Sequence, residues 1–374
     1  MLQRHEPSRR RVPGLKDQGR MWHAPIVLGL VAGLLLLSQP RVARAQSGDF
    51  MGPRPEMITP EAERAIQRGL SYLAHTQNRD GSWRTAGGFG TFPVAMTSLA
   101  GLALMASGST PVEGPYAVQV RRAVDYVVSQ ANPNGVIAAM DEESRPMHGH
   151  GFAMLFLGQA YPMERDELRR EHIRRVLQKA VALTGRAQSR YGGWLYTPDS
   201  GSDEGSVTVT QIQGLRSVRN AGIQVPRSII ERACKYIELS ANPDGGIRYR
   251  AEIQGESRPP ITAAAVATLY NAGEYDNPVA KRCLVYLKNL LAHGNTSRVY
   301  MGHEFYALFY TAQAMYLSSE ANWKSFFPEV RDNLVARQAG DGSWEGDGVG
   351  KTYGTAIAVM VLELPYHYLP IMQR

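Results

Sequence analysis

The chain has 374 residues, 44% of them hydrophobic and 20% charged, with 41 Lys and Arg against 34 Asp and Glu and only two cysteines. That apolar share excludes a disordered chain, two cysteines exclude a disulfide scaffold, and the length provides for one large domain or two ordinary ones. The net charge of +7 sits in the leader: residues 1–45 hold eight Lys and Arg against Glu6 and Asp17, which is +6 of the total, so no nucleic-acid partner is expected.

The leader runs from a basic stretch ending at Arg20, through an apolar run from Ala24 to Leu37, to the small-residue triplet Ala43-Arg44-Ala45. That run of 14 residues is shorter than a membrane span and fits a signal peptide cleaved near Ala45. The expectation is therefore an exported protein, periplasmic or otherwise extracytoplasmic, with residues 1–45 removed, a linker over 46–58 and one domain over 59–374. No stable transmembrane span is expected.

From residue 59 onward one pattern recurs. Its full form is Arg68-Gly69, then Tyr72-Leu73, Gln77 and Asp80-Gly81-Ser82-Trp83. It returns at Lys179-Ala180 with Leu183, Gln188, Gly192 and Trp194, and its second half returns as Leu334, Gln338, Gly342 and Trp344. Copies at Arg122-Ala123 and Arg232-Ala233 keep the start and the glycine (Gly135, Gly245) but lose Gln and Trp, and one at Arg282-Cys283 has decayed further. Steps of roughly 47–57 residues mean repeated supersecondary units. Each unit reads as a helical hairpin. The first segment is amphipathic, as in Ala65, Ile66, Leu70 and Leu73, and a Gly with Asp or Asn stops it. The second is apolar nearly all round, as in Val94–Met105, Phe152–Gly158, Ile261–Tyr270, Phe305–Leu317 and Thr355–Leu364, which requires burial on most sides. Six hairpins give an outer layer and an inner ring.

The Arg68 to Trp83 stretch resembles the QW motif of the squalene–hopene and oxidosqualene cyclases. The hairpin series is similar to the all-α, α6/α6 toroid that those cyclases share with protein prenyltransferase β subunits. The resemblance implies that Gln77, Trp83, Gln188, Trp194, Gln338 and Trp344 tie neighbouring hairpins together and are not catalytic. It also implies an isoprenoid or other lipid as ligand.

The catalytic signatures of those families are missing. Aligning the inner helices on their apolar pattern puts Thr97, His150, Thr210, Thr262, His303 and Thr355 at one position, and Val207-Thr208-Val209 stands where the cyclases carry their acid motif. Asp203 and Glu204 just upstream are the nearest acids. They read either as catalysts or as a cap of the helix that follows. His150 and His303, three units apart, are expected to face each other across the ring as acid–base candidates. The resemblance to prenyltransferases implies a zinc site built on an Asp two residues before a Cys. Neither Cys234 nor Cys283 has one, so no metal or cofactor is expected, and the two thiols suit packing or a disulfide. Phe152, Phe156, Tyr306, Tyr310 and Gln313 are the candidate ligand-contacting residues, since aromatic faces hold hydrocarbon chains. The sequence thus points to an exported toroid binding an isoprenoid or other lipid. A glycan-processing toroid enzyme and a non-catalytic scaffold with a cell-envelope protein partner are the alternatives.

Overall fold

The computed structural model describes residues 52–85, 90–292 and 300–373. The expected signal peptide and the start of the expected linker lie outside these residues. Among the described residues twelve α-helices follow one another: α1 Pro60–Thr76, α2 Pro93–Ala106, α3 Ala117–Ser129, α4 Met147–Ala160, α5 Glu167–Ala187, α6 Gly205–Asn220, α7 Arg227–Leu239, α8 Pro259–Asn271, α9 Pro278–Ala292, α10 Glu304–Ser318, α11 Glu320–Arg337 and α12 Lys351–Glu363. Among the described residues no strand forms, only isolated bridges such as Ala131 with Ile137.

The odd-numbered helices are amphipathic and form the outer layer. Thr59, Asp166 and Ser319 cap α1, α5 and α11 by accepting bonds from Ala62 N, Arg169 N and Asn322 N, which satisfies donors the helix itself leaves open. Each outer helix turns one stripe inward, in α1 Ala62, Ala65, Ile66, Gly69, Leu70 and Leu73. The even-numbered helices are the inner ring, and every residue of α2 is buried. They pack in the order α2, α4, α6, α8, α10, α12, and α12 returns against α2 while α1 packs on α11 and α12. The fold is an all-α toroid of six hairpins.

The repeat motif is what joins one hairpin to the next. In the full copies the Trp indole donates to a carbonyl ten residues back (Leu73, Thr184, Leu334) at 2.8–2.9 Å. The Gln amide donates both to its own loop glycine and to a carbonyl of the next outer helix: Gln77 to Gln119, Gln188 to Ile229, and Gln338 to Ala65, which closes the ring. The loop glycine takes positive φ, and a Cβ on Gly81, Gly135, Gly192, Gly245 or Gly342 would lie 3.0 Å or less from the carbonyl oxygen of Arg122, Lys179, Arg232, Arg282 or Arg68. Hence the basic residue of the motif marks the next helix's point of contact, and the small residue after it (Gly69, Ala123, Ala180, Ala233, Cys283) is buried beneath.

A second tie runs inward. Trp83 N donates to Thr97 Oγ1, Trp194 N to Thr208 Oγ1, Ile247 N to Thr262 Oγ1 and Trp344 N to Thr355 Oγ1. In the second hairpin Ile137 N donates to His150 Nδ1. The equivalent residue of the third unit is therefore Thr208 and not Thr210, whose hydroxyl bonds within its own helix to Val207 O. His303 is not part of the set, because it precedes α10 where the others lie inside their helices. Cys234 and Cys283 are free thiols, not a disulfide, and burial pushes both up to about 12.

The ring is tightest between α4 and α6. Gly151, Gly158 and Gly214 let the backbones approach, and Gln159 Nε2 to Ser217 Oγ, Ser217 Oγ to Leu155 O and Gln211 Nε2 to Met147 O bind them together. Deep in the ring Gln213 Nε2 donates to Gln313 Oε1 at 3.0 Å, joining α6 to α10. Below it the C-terminal tail folds across the inner helix ends, with Leu369, Ile371 and Met372 buried and Ile371 N donating to Gln159 Oε1. Gly214→Ala would put a methyl group 2.6 Å from Gly151 O and 2.9 Å from Met154 Cβ. We expect it to cost about 1–3 kcal/mol, read as a drop in thermal midpoint, with Gly255→Ala, where an added Cβ meets nothing within 4 Å and the backbone is not left-handed, as a control for the glycine exchange itself.

Candidate functional site

The N-terminal ends of all six inner helices and the loops that feed them surround a cavity of about 460 Å³. A groove of about 380 Å³ between α9, α10 and α11 lies on the outer face. Only the first is walled by the inner ring, and it is the one in which side chains of different hairpins converge. Its wall is apolar and aromatic: Phe92, Met96 and Leu99 at α2, Phe152 on α4, Ile261 on α8, Tyr306 on α10, and Val349 and Tyr353 at α12. Its rim is polar, with Arg145, His148, Tyr196, Tyr249, Arg258, His303 and Asp347.

Local chain geometry explains these placements. Phe92, Arg145 and Arg258 each precede a proline that opens or immediately precedes an inner helix, so the chain arrives extended or strained and the residue before the proline is left at the mouth. Three non-glycine residues with left-handed backbones, Phe92 (φ 38°), Met301 (φ 44°) and Asp347 (φ 50°), also line this cavity. Strain of that kind persists where the surroundings hold it, and it concentrates at functional sites.

Three carboxylates near the mouth are occupied as helix caps. Glu143 accepts from Val94 N of α2 at 3.0 Å, Glu204 from Ser206 N and Val207 N of α6 at 2.7 Å, and Asp347 from Phe305 N and Tyr306 N of α10. The rim cations are less engaged. Arg145 lies 4.6 Å over the Tyr196 ring and Arg258 5.7 Å over Tyr249, and the two tyrosine hydroxyls bond each other. The six inner helices bring their N-termini, the positive ends of their dipoles, to this mouth.

Of the residues expected from sequence, Phe152, Tyr306 and His303 line the cavity. Phe156 does not: it packs on Gly101, where α4 meets α2. Tyr310 is fully buried against Tyr306 and Phe309, and Gln313 is held by Gln213 and by Phe309 O. His150 is fully buried, turned to the outer layer. Its Nδ1 takes the Ile137 amide and its Nε2 meets Thr184 Oγ1 at 3.0 Å, so both nitrogens are spent on the hairpin tie, and burial pushes its pKa down to about 4. His150 and His303 thus do not face one another. Asp203 is buried away from the cavity, where Ser189 Oγ donates to it at 2.6 Å and burial raises its pKa. Glu204 is the α6 cap, one bond removed from the cavity through Ser206.

His148, two residues before the histidine singled out from sequence, is the one that reaches the cavity. Its Nε2 lies 3.1 Å from Ser206 Oγ and its ring packs on Tyr196 at 5.9 Å. His148, Arg145, Tyr196, Ser206, Tyr249, Arg258 and Asp347 were not among the sequence candidates, because they lie in loops or at helix starts, where no apolar period marks them. The residue-before-proline signal was available for Arg145 and Arg258. Among the described residues no group of three or more His, Cys, Asp or Glu side chains is placed to hold a metal ion, and no helix is long and apolar enough to cross a membrane.

No family model and no curated protein matches the sequence. Solved structures do match. The type II terpene cyclase MstE from Scytonema is 15% identical, with a TM-score of 0.52 over 84% of this chain and 100% of its own. The α-1,6-mannanase GH76A of Salegentibacter sp. HEL1_6 is 10% identical, with a TM-score of 0.57 over 80% of this chain and 97% of its own. A D-mannose isomerase is 11% identical, with a TM-score of 0.54 over 83% and 99%. At such identities the likeness establishes the toroid fold and leaves the function to the site.

Glu143 gives the site a pH signature. Burial, against the Val94 bond, moves its pKa from the usual 4.5 up to about 7. Between those values the folded protein keeps a proton that the unfolded chain has lost, so this group's contribution to stability falls as pH rises through that window. Glu143→Gln should flatten that part of a chemical-denaturation profile taken from pH 4 to 8.

Proposed function

We propose that this chain is an exported toroid that binds an isoprenoid or similar lipid chain in the cavity at its mouth. The observation that carries this reading is the cavity's build. One end is open and the other is filled by Phe156, Tyr310, the Gln213–Gln313 pair and the C-terminal tail, while the wall is drawn from aromatic and aliphatic side chains of the inner ring. A volume of about 460 Å³ is in the range of ordinary small-ligand sites. The signal peptide expected over residues 1–45 agrees with this reading, since an exported chain would meet the membrane surface where such ligands reside.

A second reading, a glycan-processing toroid, is favoured by the Arg145–Tyr196 and Arg258–Tyr249 stacks on the rim. Against it stands the acid supply. Glycoside hydrolysis needs a pair of carboxyl groups about 5–9.5 Å apart across the scissile bond. Asp347 is the one carboxylate lining the cavity, and it is bound to the start of α10.

The chain from Gln46 onward, isolated from a membrane-containing host, should carry a small apolar molecule detectable by native mass spectrometry, and stripped protein should bind C15 isoprenoids. Phe152→Ala, which removes a wall ring, should weaken that binding roughly 10- to 100-fold at unchanged fold. Protein that binds mannooligosaccharides and no isoprenoid would reverse the order of the two readings.

A further inference from the structure

Ser206 and His148 are both in the cavity lining and in hydrogen-bond contact with each other. Which way that bond runs can be worked out from the protons. Three donors converge on the Glu204 carboxyl, namely Ser206 N and Val207 N at 2.7 Å and Ser206 Oγ at 2.6 Å. With the Glu204 carboxyl ionised, the single hydroxyl proton of Ser206 goes to Glu204, and Ser206 Oγ faces His148 as an acceptor. His148 must then carry its proton on Nε2, which leaves Nδ1 with a free lone pair. The ring is one-third exposed. Arg145 lies over the same Tyr196 ring that His148 packs against, and among the described residues its guanidinium has no acidic partner.

We propose that His148 is the acid–base residue of this cavity, removing a proton from carbon next to a carbonyl group of the bound ligand while Arg145 holds the oxygen that becomes negative. The proposal rests on the lipid-binding reading and narrows its ligand to carbonyl-bearing isoprenoids. In the step the C–H bond breaks and an Nδ1–H bond forms. The C–H electron pair becomes the C=C bond of an enolate, and the carbonyl pair moves onto oxygen. Return of the proton to the same carbon regenerates the ligand, and return to the far end of a conjugated enolate isomerises it. No oxidant, reductant or co-reactant is required. The imidazolium formed in between lies with Nε2 3.9 Å from Glu204 Oε1, bridged by Ser206, so Glu204 and Ser206 act as positioning residues. Burial and the nearby Arg145 charge push the His148 pKa down to about 4, which keeps the ring neutral but makes it a weaker base than a free imidazole, so the stabilisation of the developing oxyanion by Arg145 has to supply the driving force. Acyl transfer to Ser206 is the competing chemistry, and the geometry disfavours it. The first amides of α6 are already bonded, Gly205 N to Tyr249 O and the next two to Glu204, so they offer no donors to an oxyanion.

The test uses the mature chain with geranylacetone, an isoprenoid methyl ketone, in D2O, following deuterium uptake beside the carbonyl by NMR and ketone affinity by calorimetry. Wild-type protein should speed exchange roughly 100-fold or more over both His148→Ala and His148→Gln, the second of which keeps the bulk of the side chain. Ser206→Ala should leave affinity unchanged, shift the His148 ¹⁵N resonances from one tautomer to a mixture and slow exchange at least about tenfold; Ser206→Thr should restore both. A ketone that binds yet exchanges no faster than with His148→Ala overturns the acid–base role and leaves the lipid cavity standing. A Ser206→Ala protein with unaltered tautomer overturns the relay, and a ketone that does not bind at all overturns both the role and the reading beneath it.

Discussion

Everything in this molecule depends on the contact between the loop glycine of one hairpin and the carbonyl oxygen of the basic residue in the next outer helix. At five of these contacts a Cβ would fall 3.0 Å or less from that oxygen, so the spacing between neighbours is fixed by backbone rather than by adaptable side chains. A fixed step repeated around the ring makes closure a geometric consequence. The closing step, Gly342 on Arg68 with Gln338 reaching Ala65 O, uses the same atoms as the internal ones. Closure in turn sets all six inner helices parallel, and their N-termini gather at one end. The polarity of the mouth is thus a property of the repeat before any charged side chain is added.

The repeat does not make the ring uniform. Glycines at 151, 158 and 214 draw α4 and α6 together, and the space this saves is filled further down by Phe156 and the Gln213–Gln313 bridge. The cavity is therefore confined to the upper part of the ring. Where the motif has lost its Trp and Gln, other side chains hold the loop from within the hairpin. In the second hairpin Asn132 binds three loop carbonyls and His150 supplies the acceptor that Thr97 and Thr355 supply elsewhere. A histidine conspicuous in the sequence is explained here by hairpin architecture.

That substitution shows where sequence reasoning reached and where it stopped. The two layers and the six-fold count were legible because burial imposes periodicity, with polar-faced segments outside and uniformly apolar ones inside, while boundaries such as the start of α4 at Met147 were not, since helix ends carry no such period. Phe152, Tyr306 and His303 were found because they sit within or beside those apolar segments. The alignment that paired His150 with His303 matched side-chain type along the helix and missed that one lies inside its helix and the other before it. His303 has a non-helical backbone ahead of its helix, so the periodicity that turns His150 toward the outer layer does not govern it. The rim residues were invisible for a different reason. Tyr196, Tyr249 and Asp347 belong to loops whose paths are set by bonds to other hairpins, such as Met147 N to Tyr196 O and Gly205 N to Tyr249 O, and no local pattern encodes a contact with a segment 44 or 49 residues away.

The same loops decide what chemistry the mouth can support. Inner helices that begin in a crowded, partly dry ring need partners for their first amides, and water is poorly placed to provide them. Glu143, Glu204 and Asp347 meet that need at α2, α6 and α10. Each carboxylate used in this way is bound to backbone amides, so its position is set by the helix it caps. What the mouth retains is cations, aromatic faces and neutral imidazole. Glu204 shows that the two demands are not wholly separate, since the cap that completes α6 also orders Ser206, and Ser206 orders His148. A helix cap laid down for folding thereby fixes the protonation geometry of a side chain in the cavity, which ties the site's chemistry directly to the integrity of the third hairpin.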